Sequence, residues 1–288
     1  MSNKEILDNI KKLREMTGVG FKDCKIALDQ SNGDLEKSIE FLRKKGIAKA
    51  SKKMSRTASE GLALVKEEDG QISLIEINSE TDFVAKNQDF INFCKELSEI
   101  NFQSKGNIEK LNNSKMKHGI LVKDNLVNLI AKIGEKLIIR RSKFFDNLSG
   151  TNFSYVHSAI EKGIGKIISI VKIGGVEKGK NEEIGVKIAM HIAASNPLAI
   201  DTNTIDKNLI DKEMEIIKAE IVNSGKPAEV AEKISKGKLA KYLNDNSLLN
   251  QLWIIDPKKK VSDILKENSS EKQLKILDFI RYKVGEGV

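Results

Sequence analysis

Cysteine is scarce in this chain: Cys24 and Cys94 are the two present, far apart in sequence. That excludes a disulfide framework and a cysteine-built zinc cluster within one chain, and it fits a reducing compartment. No run of 18 or more apolar residues occurs, so no membrane-spanning helix and no membrane association are expected. The stretch Met1-Ser2-Asn3-Lys4-Glu5 has nothing of the apolar core of a secretory signal. A cytoplasmic protein is therefore expected. The three histidines, His118, His157 and His191, are scattered. None sits in H-E-x-x-H or beside cysteine at metal-binding spacing, so no metal or other cofactor is expected.

The phosphate-binding loop G-x-x-x-x-G-K-[ST] is missing as well. Gly163-Ile164-Gly165-Lys166 comes near it, but Ile160 stands in place of the first glycine and Ile167 in place of Ser or Thr. No G-x-G-x-x-G fingerprint and no G-x-S-x-G nucleophile elbow occur. These absences move the expectation away from an enzyme and toward a protein that acts by binding.

What is present is length, charge and helical periodicity. The 288 residues leave room for two or three modules, and 40% of them are hydrophobic. The net charge is +8, mostly from lysines interspersed with glutamates, as on solvated helix faces. The exception is 43–56, where Arg43, Lys44, Lys45, Lys49, Lys52, Lys53 and Arg56 occur without one acid. Such a run fits a nucleic acid or an acidic protein surface.

Residues 3–45 read as three short helices. Ile6, Ile10 and Leu13 share one face, then Phe21, Cys24 and Leu28, then Leu35, Ile39 and Leu42. Thr17-Gly18-Val19-Gly20 breaks the first from the second, and Asn32-Gly33-Asp34 ends in a residue suited to cap the third. Such a bundle serves either as a helix-turn-helix reader of DNA or as a protein-docking module. Asp23 and Asp29 on the second helix would face phosphates, which favours docking. Residues 46–59 read as a basic linker and domain boundary, either irregular or helical.

A β-hairpin is predicted from 62–65 and 71–77 around Asp69-Gly70, with Ile72, Leu74 and Glu76 alternating. A helix follows over 87–100 through Phe90, Phe93, Cys94 and Leu97. Residues 101–116 read as irregular, 118–133 as a helix stopped by Gly134, and 135–145 as a strand. The plan then repeats, with a strand over 165–173, a break at Gly174-Gly175 and a helix over 183–194 that carries His191 on its apolar face. That position suits a core residue more than a ligand. Asn196-Pro197 ends the helix. A long helix carries Ile210, Met214, Ile217 and Ile221, the chain turns at Ser224-Gly225-Lys226-Pro227, and a returning helix carries Val230, Ile234, Leu239 and Tyr242. Gly237 is a weak point in it. The basic run Lys258-Lys259-Lys260 reads as a solvated turn. A short helix over 261–266 and a strand over 276–284 complete the chain.

Between the hairpin and the helix at 87 lies Asn78-Ser79-Glu80-Thr81-Asp82-Phe83-Val84-Ala85-Lys86-Asn87. From spacing alone Phe83 is either a buried anchor, seven residues before Phe90 on one helix face, or an aromatic presented to a partner.

Several stretches, taken together, resemble one family. Leu13-Arg14-Glu15-Met16-Thr17-Gly18-Val19-Gly20-Phe21-Lys22-Asp23-Cys24 through Leu28 closely resembles the N-terminal motif of bacterial elongation factor Ts, and Thr81-Asp82-Phe83-Val84-Ala85-Lys86-Asn87 its central motif. Ala131-Lys132-Ile133-Gly134-Glu135, His191-Ile192-Ala193-Ala194-Ser195-Asn196-Pro197, Ser224-Gly225-Lys226-Pro227 and Val284-Gly285-Glu286-Gly287 follow in family order. The resemblance implies an α+β fold. Residues 1–55 would be a ubiquitin-associated-like three-helix domain with its linker, 56–140 the first antiparallel core subdomain, 141–204 with 247–288 the second, and 205–246 a protruding antiparallel coiled-coil hairpin.

It also implies a function: guanine-nucleotide exchange on elongation factor Tu, bound in its GDP and nucleotide-free states, with no nucleic-acid partner. Either a homodimer or a two-to-two complex is compatible with it. By resemblance Phe83 is the wedge of Thr81, Asp82, Phe83 and Val84, pushed between helices of the partner's nucleotide domain to dislocate its Mg²⁺. Asp82 would fix the approach by hydrogen bonding. Arg14, Phe21 and Lys22 match contacts of the first domain, although Phe21 and Lys22 replace what is often an apolar pair. Ile133 and Gly134 match a core contact. His157 follows Ser154-Tyr155-Val156 as in the family, but Ser158 to Gly163 replaces the Gly/Arg-rich loop expected after it.

Overall fold

Asp69 and Gly70 take the two left-handed backbone positions of a two-residue hairpin turn, with φ of 50° and 74°. The computed structural model describes residues 3–17, 19–177, 179, 181–222 and 228–288. In it, strand β1 (Glu60–Glu68) runs through that turn into β2 (Gln71–Ser79), with Glu60 opposite Ser79 and Glu68 opposite Gln71. Gly18 of the first motif and the expected turn at Ser224-Gly225-Lys226-Pro227 lie outside the described residues.

The chain forms two units, one of residues 1–145, 158–167 and 282–288, the other of 146–157 and 168–281. The first opens with helices α1 (Asn3–Thr17), α2 (Phe21–Gln30) and α3 (Leu35–Ser51). Ile10, Leu13, Cys24, Leu28 and Leu42 are buried together between them, as the spacing predicts. Asp34 caps α3, its carboxylate accepting the Lys37 amide at 3.1 Å. Within the expected linker the helical alternative holds over 46–51, where α3 continues to Ser51. Tertiary packing carries it on: α3 lies against helix α7 (Val122–Ile133), and a side chain at Gly46 would meet Val127 Cγ1 at 3.2 Å.

After β2 come the single turn α4 (Asp82–Ala85), helix α5 (Gln88–Gln103), the short helix α6 (Ile108–Asn112), α7 and strand β3 (Leu137–Phe145). Helix α6 lies where an irregular segment is predicted. Asn107 caps it, accepting the Lys110 amide at 2.8 Å, and Leu111 is buried. Helix α7 begins at Val122 rather than 118, since Gly119 turns the chain at φ 80°. With β5 (Ile164–Gly165) the sheet order is β3-β2-β1-β5.

Helix α5 covers β1 and β2, and Phe90, Cys94 and Leu97 meet Leu62, Leu64, Ile75 and Ile77 in the core. Each such Leu, Ile or Phe taken from water is worth about 1.5–3 kcal/mol. The alternation Ile72-Leu74-Glu76 predicts one buried stripe on β2, yet both faces are buried, and Ile75 and Ile77 are the residues under α5. The β2–β3 register shifts after Glu76. Glu76 faces Arg141 and Ile77 faces Ile139, so Arg140 is the extra residue of a bulge.

The second unit holds the sheet β4-β6-β7, built from β4 (Thr151–His157), β6 (Ile167–Gly174) and β7 (Lys275–Lys283). Strand β4 is not foreseen in the sequence, where polar residues and half-buried positions give no alternation. Helix α8 (Glu182–Ser195) crosses it so closely that a side chain at Gly185 would strike the Phe153 ring at 2.4 Å. His191 is a core residue: its Nε2 lies 3.0 Å from Gln251 Oε1 and its ring stacks on Trp253 at 5.2 Å. Helices α9 (Lys207–Val222) and α10 (Ala228–Asp245) pack together. Lys238 of α10 reaches Glu220 of α9 at 2.5 Å. Gly237 leaves α10 unbroken. Helix α11 (Val261–Glu267) closes the core with Val261, Ile264 and Leu265. The class is thus mixed helix and sheet, α+β.

Candidate functional site

The turn from Ser79 to Asn87 is assembled by opposing local signals. Thr81 is extended, at φ −124° and ψ 159°, and α4 starts after it. The helix ends within one turn because Asn87 caps the next one: its Oδ1 accepts the Asp89 amide at 2.9 Å and the Phe90 amide at 3.3 Å. A four-residue helix has two sides. Val84 and Ala85 enter the core of the first unit. Phe83 therefore points outward and is 78% exposed, the most exposed phenylalanine among the described residues. Phe90 is fully buried on α5, so the two aromatics occupy different helices and opposite environments.

Asp82 is partly exposed and accepts Lys86 Nζ at 2.7 Å, one helical turn on. That hydrogen bond, helped by the lysine charge and opposed by partial desolvation, holds its carboxyl below the ordinary range. Thr81 is gripped from outside the turn. Its amide donates to Glu135 Oε2 at 3.0 Å and its hydroxyl to Glu135 Oε1 at 2.8 Å. Its carbonyl accepts the Ser79 hydroxyl at 2.9 Å.

Glu80 forms a parallel tie. It accepts the Lys136 amide at 2.5 Å and Arg56 Nη1 at 3.2 Å. Although partial burial raises its carboxyl, these bonds and the Arg56 charge bring it below its ordinary value. Lys136 Nζ in turn donates to the carbonyls of Met54 and Arg56 at 2.8 and 2.7 Å, and Lys53 donates to the Gly134 carbonyl. Gly134, at φ 89°, ends α7 and turns the chain toward Glu135.

The fold therefore joins the end of α7 at Gly134 to Thr81 through Glu135, and Ile133 packs against the core that Val84 enters. Arg14, Phe21 and Lys22 lie apart on α1 and α2, all exposed, Phe21 by 47%. His157 is exposed at the end of β4 in the second unit, with its Nδ1 3.2 Å from Tyr155 Oη. The sequence points to no role for Glu80, Glu135 or Lys136, and to Lys53 and Arg56 only as members of the basic run 43–56. The signal available was Glu135 itself, within Ala131-Lys132-Ile133-Gly134-Glu135.

The arrangement is suited to contact. Among the described residues, no group of three or more His, Cys, Asp or Glu is placed to hold a metal ion, and no helix is long and apolar enough to cross a membrane. The basic run at 43–56 is largely spent within the chain. Arg43 pairs with Asp124, Lys44 with Glu40, Lys45 with Asp23 and Arg56 with Glu80, while Lys53 binds the Gly134 carbonyl.

Fold and site together define an α+β protein whose candidate site is a presented aromatic turn rather than a set of reacting groups. Residues 80–286 match the family model described as Elongation factor TS. The chain is 40% identical over 285 residues to Elongation factor Ts of Xanthobacter autotrophicus, covering 97% of this chain and 92% of that protein. It is 42% identical over 287 residues to Elongation factor Ts of Clostridium kluyveri, with the same two coverages. The chain belongs to the elongation factor Ts family.

Proposed function

We propose that this chain is a translation elongation factor that binds elongation factor Tu carrying GDP and promotes release of the nucleotide, so that GTP can rebind. The observation that carries the mechanism is the outward Phe83 on a helix whose other side is core. An aromatic held in water costs burial energy at home and is positioned to regain it in a partner's pocket.

In a GTPase the diphosphate is held partly by Mg²⁺, which neutralises phosphate charge. Phe83 enters between helices of the partner's nucleotide domain, and Val84 anchors the turn from behind. Asp82, kept ionised beside Lys86, accepts a hydrogen bond from the partner rather than ligating the metal. The displaced helices carry the Mg²⁺ and phosphate site with them. A factor that binds the empty GTPase more tightly than the loaded one must weaken nucleotide binding by the same ratio. The protein itself forms and breaks no covalent bond.

The remaining contacts follow the same reading. Arg14, Phe21 and Lys22 dock the helical domain, 1–55. Ile133 and Gly134 reinforce the core contact of 56–140. His157 serves the second subdomain, 141–204 with 247–288. Residues 205–246 act as an antiparallel coiled-coil hairpin. The packing of the two helices and the Glu220–Lys238 ion pair between them support that reading. The site of action is the cytoplasm, as one-to-one or two-to-two complexes. Five of the seven basic residues of 43–56 have partners within the chain, which supports the protein-docking reading over a nucleic-acid one.

The test is release of labelled GDP from elongation factor Tu at catalytic amounts of this protein. Acceleration by the intact protein that is slowed in Phe83→Ala is the expected result. No acceleration by the intact protein removes the exchange function, and full acceleration by the variant removes the wedge.

A further inference from the structure

We propose that Glu135 is a positioning residue for the Phe83 wedge, acting through Thr81; the proposal rests on the exchange function above. A single helical turn does not hold itself, because fixing its dihedrals returns almost no hydrogen bonds. Thr81 stands at the N-cap of α4, yet its hydroxyl makes no bond to that helix. Both of its donors go instead to one carboxylate, that of Glu135, at 3.0 and 2.8 Å. Both bonds have ordinary lengths, and the paired geometry fixes direction as well as distance. Phe83 follows two residues later.

Glu135 is itself held. Its neighbour Lys136 donates its amide to Glu80 at 2.5 Å, so two successive residues of one turn tie two successive residues of the other. Gly134 is closed onto α7 through Ile130, its amide donating to that carbonyl at 2.9 Å, and Lys53 binds its carbonyl. Val84 and Ala85 set the depth of α4 by burial. Rotation about that anchor is limited by the grip on Thr81. Loss of the grip leaves Phe83 exposed but wrongly aimed.

The experiment measures GDP release from elongation factor Tu as the concentration of this protein is varied. In Glu135→Gln one of the two donors of Thr81 meets an NH₂ group. Misplacement of a group by about 1 Å costs up to about 10²-fold, so the maximal release rate is expected to fall about tenfold while the half-maximal concentration stays within about twofold. Thr81→Val should match it, and Thr81→Ser, which keeps the hydroxyl, should release faster than Thr81→Val. In a Phe83→Ala background, Glu135→Gln should change the rate less than about twofold, since no wedge remains to aim.

Equal slowing by Glu135→Gln with and without Phe83 would mean a general structural role and would overturn the proposal. So would no advantage of Thr81→Ser over Thr81→Val. A slow Phe83→Ala beside a normal Glu135→Gln sinks the clamp alone. A normal Phe83→Ala sinks the wedge on which the clamp depends.

Discussion

Glu76 Oε2 lies 2.5 Å from Arg141 Nε, with the carboxylate fully buried in the sheet of the first unit. The bulge explains how Arg140 reaches the same carboxylate, its Nη1 at 2.9 Å from Glu76 Oε1. Successive strand residues ordinarily point to opposite faces, but Arg140 is the extra residue in the register and escapes that alternation. Asn78 Nδ2 at 3.1 Å and the Gly285 amide at 2.9 Å complete the shell. A charge buried in a sheet is thus paired and hydrogen-bonded at every side described.

Glu76→Gln should destabilise the protein by about 1–3 kcal/mol, less than a fully buried pair because the arginines are 20% and 31% exposed. Burial raises the Glu76 carboxyl, but the Gly285 amide and both arginines bring it below the ordinary 4.5. Its stabilisation is therefore complete above that value and is lost as pH falls through the lowered one. Urea unfolding of both proteins should show their difference shrinking under acid; a constant difference would contradict the network.

Gly285→Ala should weaken the same network from the other side. Gly285 has φ 78°, and a Cβ there would lie 1.9 Å from the Ser59 carbonyl oxygen. Backbone strain of this kind costs about 1–3 kcal/mol. The loss should be smaller in a Glu76→Gln background, where the amide no longer meets a carboxylate, and a double-mutant cycle measures it.

Phe83 and Val84 are neighbours with opposite tasks. Phe83→Ala should leave stability within about 0.5 kcal/mol, as for an exposed position, while the partner interface loses about 2–4 kcal/mol. Val84→Ala should cost about 1–3 kcal/mol of folding free energy. Thermal melting beside a binding titration separates the two.

His191 supplies an acid-sensitive element in the second unit. Burial lowers its pKa below 6.5, and the Gln251 hydrogen bond opposes that only in part. The neutral ring is the folded form, so its contribution is complete above 6.5 and is lost as pH falls through the lowered value. Trp253, the single tryptophan, stacks on this ring, so its fluorescence reports unfolding of the unit. The fall in stability between neutral and mildly acidic pH should be absent in His191→Gln.

Much of this protein was legible in its residues alone. Apolar spacing located the three N-terminal helices, α5, α8 and α9. Asp69-Gly70 located the hairpin, and Gly134 and Asn196 marked helix ends, both in left-handed conformation. The ordered motifs pointed to the family. These signals are local: turn dihedrals, caps and one-sided burial are encoded within a few neighbouring residues. Other features depended on the chain's return to itself. The extension of α3 to Ser51 rests on α7, and burial of both β2 faces brings in residues 140, 141 and 285. Spacing left Phe83 free to join Phe90 on one helix; the cap at Asn87 and the burial of Val84 and Ala85 turned it outward. The grip of Glu135 on Thr81 joins residues 54 positions apart. No periodicity records such a pairing, because hydrogen-bond partners are chosen by proximity in space, and proximity is set only when the whole sheet and its helices have packed.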